Sequence, residues 1–158
     1  MPMRILATIF LGAVVAVAVA GSLHALNVKT GLWQISETIT WTGLPPQMAA
    51  AMGSGRVHSY NSCVKKEDLT TNPWAGGSRE SCKWTVLSST GTDMEVQGSS
   101  CDMGAENGMT AQIHGQIHVL DPEDGTGSFD IALMGNGQAM NGHVSYMGKW
   151  VGPSCPAE

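Results

Sequence analysis

Apolar and polar residues alternate with a period of two along most of the chain beyond residue 30. In Leu32–Trp41, Trp33, Ile35, Ile39 and Trp41 fall on one face, with Glu37 intruding among them. Gln34, Ser36, Thr38 and Thr40 fall on the other. Such alternation predicts a strand with one buried face. The pattern repeats at Arg56–Cys63, at Cys82–Ser88 with Trp84 and Val86, and at Asp93–Cys101 with Met94, Val96 and Gly98. It is clearest in Met109–Leu120, where Met109, Ala111, Ile113, Gly115, Ile117 and Val119 oppose Thr110, Gln112, His114, Gln116 and His118. Ser128–Met134 and Met140–Val151 complete about seven strands.

Turn signals separate these runs. Pro45-Pro46 and the small residues after it read as a loop with one helical turn at Gln47–Met52. Lys65–Leu69 reads as a second turn before Pro73. Thr90-Gly91-Thr92 reads as a hairpin turn, and Asp121 to Gly127 as a longer turn rich in helix breakers. Short strands with frequent turns predict an all-β fold. We expect an antiparallel meander of about seven strands, forming a curved sheet or a partly open barrel. No internal repeat of fixed length accompanies the strand rhythm.

The first residues break this pattern. Arg4 precedes an uncharged apolar run, Ile5 to Ala20, followed by Gly21, Ser22 and Ala25. This is the layout of a secretory signal peptide. As a helix the run rises about 24 Å, short of the ~30 Å hydrocarbon core. We therefore expect cleavage, after Ala20 or after Ala25, with residues 1–25 as the signal and 26–158 as one all-β domain, periplasmic or secreted. No stable membrane insertion is expected after cleavage. The first cysteine is Cys63, so no lipid-modified cysteine follows the signal, and the PSCPAE end has no hydrophobic tail for a glycolipid anchor.

Composition narrows the function. The chain has 158 residues, 8 basic and 13 acidic, a net charge of −5, and no basic face for phosphate neutralisation. Nucleic acid is therefore excluded as a partner. Four cysteines, Cys63, Cys82, Cys101 and Cys155, suit an oxidising compartment and two disulfides. Three connectivities exist. Short-range loop closure favours Cys63–Cys82, which leaves Cys101–Cys155 to tie the tail to the sheet. The cysteines lack the spacing of a zinc site or of a redox-active dithiol.

The residues, taken in order, carry a family resemblance. Gly31-Leu32-Trp33 opens the domain, and Leu44-Pro45-Pro46-Gln47-Met48 forms a Pro/Met loop. Cys63 is followed by Lys65-Lys66-Glu67-Asp68, then by Cys82 and a strand-ending Cys101. The chain closes with Gly148-Lys149-Trp150-Val151-Gly152 and Cys155. From Leu26 to Cys155 this resembles the bacterial exported family known as domain of unknown function 3617 (DUF3617). The resemblance implies an exported, disulfide-bonded β domain and assigns no catalytic residue or cofactor.

Direct searches for chemistry return few candidates. His114 and His118 share a strand face but stand about 13 Å apart, too far for one metal ion. Asp130 or His143 on a neighbouring strand would be needed beside one of them. Met94, Met103, Met109, Met134, Met140 and Met147 offer soft thioethers, but they lack the close clustering of a copper site and read as core filling. Asp121, Glu123 and Asp124 do not match a calcium loop. No nucleophile elbow, phosphate loop, zinc-protease or dinucleotide motif is present, and Gly53-Ser54-Gly55 has no triad context. We expect no catalytic residue, metal or cofactor. Trp33, Trp41, Trp84 and Trp150 fill the core or line a pocket at the mouth of the sheet. The reading is a non-enzymatic domain that binds a small apolar molecule or another envelope protein. The alternatives are a structural or stress-protective envelope protein without a ligand, and an enzyme.

Overall fold

The computed structural model describes residues 23–74, 82–102, 110–135 and 138–156. The apolar segment up to Ser22, Met103 and Met109 lie outside the described residues. Seven strands form one sheet: β1 (Gly31–Thr42), β2 (Val57–Val64), β3 (Lys83–Ser89), β4 (Asp93–Asp102), β5 (Thr110–Asp121), β6 (Asp124–Gly135) and β7 (Gln138–Gly152). Their order is β2-β1-β7-β6-β5-β4-β3, and every neighbouring pair is antiparallel. The sheet is open, with β2 and β3 as its edges. β3 to β7 run as a meander, and β1 and β2 add to the outside of β7. A short helix α1 (Pro46–Ala51) and a 3-10 turn (Lys66–Thr70) flank β2. The all-β architecture follows the alternation of the sequence.

The sheet curls strongly. Trp33 and Ile35 of β1 and Val64 of β2 share one core with Met94 and Val96 of β4 and Ile117 of β5. The N-terminal strap feeds the same core through Leu26 and Val28. Its amides lace three turns: Leu26 N–H donates to Leu69 O (2.9 Å), Asn27 N–H to Gly91 O (2.8 Å) and Lys29 N–H to Pro122 O (2.9 Å). These bonds satisfy backbone groups that burial would otherwise orphan.

The inner face is built from glycine–aromatic pairs. Four glycines stand directly across from an aromatic residue: Gly98 from Trp84, Gly115 from Phe129, Gly127 from Tyr146, and Gly142 from Trp41. A Cβ on any of the four would meet the ring of its partner. The rings therefore lie flat over backbone that carries no side chain, which lets a strongly curved sheet hold large aromatics. This corrects the expected turn Asp121–Gly127. Only Pro122 and Glu123 separate β5 from β6, because Asp121 already pairs with Asp124. Gly125 and Gly127 are strand residues whose missing Cβ atoms admit Trp74 and Tyr146.

Two methionine expectations also change. Met94 is buried and Met140 packs against a second core around Cys101, Ala111, Ile113 and Leu133. Met134 and Met147 are exposed. Alternation explains both, since Leu133 and Tyr146 next to them already take the inward positions.

The four cysteines form two disulfides, but not with the expected partners. The bonds are Cys63–Cys155 and Cys82–Cys101. Leu32 is flanked by Cys63 on β2 and by Gly152 on β7, so the tail crosses only one strand to reach Cys63. Cys82 and Cys101 meet at the open end of the β3–β4 hairpin. A bulge after Gly98, with Ser100 in the left-handed region (φ 53°), turns Cys101 inward. Loop length did not discriminate, because Cys63–Cys82 closes a loop as short as the observed separation of 19.

Candidate functional site

The two faces of the sheet offer different chemistry. The inner face carries an aromatic row. Trp33 and Trp74 have ring centroids 5.5 Å apart, Trp74 and Tyr146 5.5 Å, Tyr146 and Phe129 5.1 Å in a stacked pair, and Phe129 and Trp84 6.1 Å. Such contacts add stabilisation beyond area burial, about 0.5–1.5 kcal/mol per pair.

Trp74 joins the two halves of this row, and it does not come from a strand. It follows the 3-10 turn, in Asn72-Pro73-Trp74. Asp68 accepts the Lys65 amide (2.7 Å) and closes that turn. The Trp74 amide then donates to Asn72 Oδ1 (3.2 Å), a local turn that directs the indole over Gly125 and Gly148. Sequence reading named four tryptophans and passed over this one, because a lone aromatic in a loop has no periodicity. The Asn-Pro pair before it was the available signal.

The aromatic row walls a cavity of about 200 Å³ on the inner face. Tyr60, Trp74, Trp84, Phe129 and Tyr146 supply rings. Ile39, Ile113, Ile131 and Val144 supply aliphatic wall, and Glu37 supplies the one charged side chain among the described residues. Tyr60 donates its hydroxyl to Glu37 Oε2 at 3.4 Å. Burial, then the charge of Glu37 and this hydrogen bond, push the Tyr60 phenol up to about 12. Burial also holds the Tyr146 phenol well above its ordinary value. Both tyrosines are thus neutral hydroxyls across the physiological range. The Trp74 indole N–H is buried and has no hydrogen-bond partner among the described residues.

Of the other expected aromatics, Trp84 lines the cavity and Trp33 is fully buried beside it. Trp41 packs on the second core. Trp150 is neither fully buried nor part of the cavity wall. Its indole N–H donates to Thr30 O (3.0 Å), and Lys29 Nζ stands 4.4 Å above its ring.

The outer face carries three histidine–carboxylate pairs. His114 Nε2 lies 2.7 Å from Glu95, His118 Nδ1 2.6 Å from Asp93, and His143 Nδ1 2.7 Å from Asp130. Asp130, one of the two neighbours that the sequence called for, stands in register between His114 and His143, the other. Asp130 turns to His143, however, and His114 to Glu95. Among the described residues no group of three His, Cys, Asp or Glu side chains is placed to hold a metal ion. The His118 hydrogen bond, followed by that from Thr92, holds the Asp93 carboxyl below its ordinary range. Shallow grooves run along this face beside His114, His143 and His118. Their walls mix polar side chains with a few aliphatic ones and, among the described residues, contain no aromatic ring other than histidine, so the aromatic cavity is the better ligand site. The acidic turn is absorbed structurally: Glu123 pairs with Lys29, Asp124 with Lys149 (3.5 Å), and Asp121 accepts the Glu123 amide.

The chain belongs to the DUF3617 family, described as a protein of unknown function, whose model matches residues 28–155. No curated protein and no solved structure matches the chain. Among the described residues no helix is long and apolar enough to cross a membrane.

Proposed function

We propose that this member of the family is an exported, non-enzymatic binding module that holds a small apolar ligand in the aromatic cavity of its inner face. The cavity carries the reading: five aromatic rings and four aliphatic side chains converge on an opening of about 200 Å³. An empty apolar cavity of about 150 Å³ takes a benzene ring, so this one suits a ligand of one or two rings or a short branched chain. Export is supported by the apolar leader after Arg4 and by two disulfides, which persist in oxidising compartments. An envelope protein is the second reading. It is favoured by the edge strands β2 and β3, which expose Val57 and Leu87.

The test is a fluorescence titration of the oxidised protein with indole and with 1-naphthol. Trp74 and Trp84 line the cavity, so ligand entry quenches or shifts emission. Saturable binding that is lost in Trp84→Ala supports the reading. A flat response to both probes, with no rise in melting temperature, removes it.

A further inference from the structure

Glu37 is out of place for a purely apolar pocket. It lies on the inner face of β1 between Ile35 and Ile39, where each neighbouring inward position is apolar. Its cross-strand neighbours are Tyr146 on β7 and His58 on β2. His58 is exposed and makes no ion pair with it. Among the described residues Glu37 has no Lys, Arg or His partner, and its one hydrogen bond comes from Tyr60 at 3.4 Å. The outer face is built differently, since Asp93, Glu95 and Asp130 each have a histidine within 2.7 Å. A carboxylate partly withdrawn from water without a counter-charge is costly. It attracts a cation more strongly than it would in bulk solvent.

The walls favour the same sign of charge. The faces of Tyr60, Trp74, Trp84, Phe129 and Tyr146 carry the negative part of the ring quadrupole and attract ammonium groups at short range. The high phenol values of Tyr60 and Tyr146 keep both rings neutral, so neither competes with Glu37 for the cation. Anionic ligands meet an unpaired carboxylate and are excluded. Neutral ones fill the cavity but leave Glu37 unanswered.

Resting on the cavity as a ligand site, we propose that its ligand is a small organic cation: an apolar body of about one ring bearing an ammonium group, which pairs with Glu37 while the rings enclose the body.

Three soluble probes of similar shape separate the parts of the claim in calorimetric and fluorescence titrations of the full oxidised chain. They are 2-phenylethylammonium, 2-phenylethanol and phenylacetate. The amine is expected to bind about tenfold more tightly than the alcohol, a 1.4 kcal/mol preference, and phenylacetate not at all. In Glu37→Gln the amine loses its lead, and the two affinities fall within about twofold. Asp130→Asn removes the same charge from the outer face and keeps the lead. Circular dichroism and the melting temperature confirm that both variants are folded. If the alcohol equals or exceeds the amine, the cation assignment falls while the pocket stands. An amine preference that survives Glu37→Gln, or that Asp130→Asn also removes, places the cation elsewhere and overturns it. If none of the three binds, the cavity reading and the cation assignment fall together.

Discussion

The corrected disulfide pairing has a thermodynamic signature that peptide mapping alone would not give. Cys63–Cys155 spans 92 residues and Cys82–Cys101 spans 19. Chain-entropy arithmetic assigns about 4.6 kcal/mol to the first cross-link and about 3.2 kcal/mol to the second. Cys101 is fully buried, so its replacement by Ala adds a packing loss of about 1 kcal/mol. Cys63 and Cys155 are only partly buried, and their loss is mostly the cross-link. The perturbations are Cys63→Ala, Cys155→Ala, their double variant, and the crossed double Cys63→Ala with Cys82→Ala. Urea unfolding followed by tryptophan emission gives each free energy. Within a true pair the losses do not add, because either substitution already breaks the bond. Cys63→Ala, Cys155→Ala and their double should agree to within about 0.5 kcal/mol. The crossed variant breaks both bonds and should lose about 8 kcal/mol. That is most of the 5–15 kcal/mol typical of a whole domain, so it should be largely unfolded without denaturant. If the crossed variant matches Cys63→Ala alone, Cys63 and Cys82 are bonded to each other and the pairing argued from the β1 neighbours is wrong.

Other outcomes follow from the geometry. Gly115→Val drives a side chain into the Phe129 ring and should lower stability by about 1–3 kcal/mol; combined with Phe129→Ala it should cost less than the sum of the singles, and an additive result would separate the two residues. The Tyr60 phenol, raised to about 12, binds its proton more tightly in the folded state, so stability should fall as pH rises from about 10 to about 12. Glu37→Gln removes the Glu37 charge and should bring the Tyr60 ultraviolet titration midpoint down, though burial keeps it above the ordinary value. Asp93 shows the opposite sign: its lowered carboxyl favours the fold above the ordinary carboxylate range and ceases to as pH falls through the folded value. His118→Gln should move the Asp93 carboxyl signal upward in an NMR titration while the urea midpoint stays in place, since both side chains are more than half exposed.

The strands were legible because one face meets core and the other meets water, and that asymmetry writes a period of two into the chain. β1, β4 and β5 fall within a residue or two of their sequence bounds. β6 does not, because Gly125 and Gly127 look like turn residues when read locally. Their role is set by Trp74, about fifty positions away in sequence, and by Tyr146 on the next strand. The cysteine pairing escaped for a related reason. Loop entropy sees separation along the chain, whereas Cys63 and Cys155 are brought together by their common neighbour β1. Sheet order is a global property, and no local pattern carries it.

The cavity shows where local reading does reach function. Trp74 was passed over because its position depends on an Asn-Pro turn docking against glycines of two strands, and only the turn is signalled locally. Glu37 was visible from the start as a break in an otherwise apolar face. A charged residue that violates a strand's pattern lowers the stability of the sheet unless something answers it. On the outer face histidines answer the carboxylates, and those residues fit the polar half of the alternation. On the inner face Tyr60 supplies only a neutral hydroxyl at 3.4 Å. The abundance of tryptophan and glycine explains how most of the wall is made, since Trp74, Trp84, Phe129 and Tyr146 each lie over a residue without a Cβ. It does not explain Glu37, whose replacement by Leu would complete the apolar face of β1. The exception to the pattern, rather than the pattern, is therefore the part of this strand that folding alone does not require.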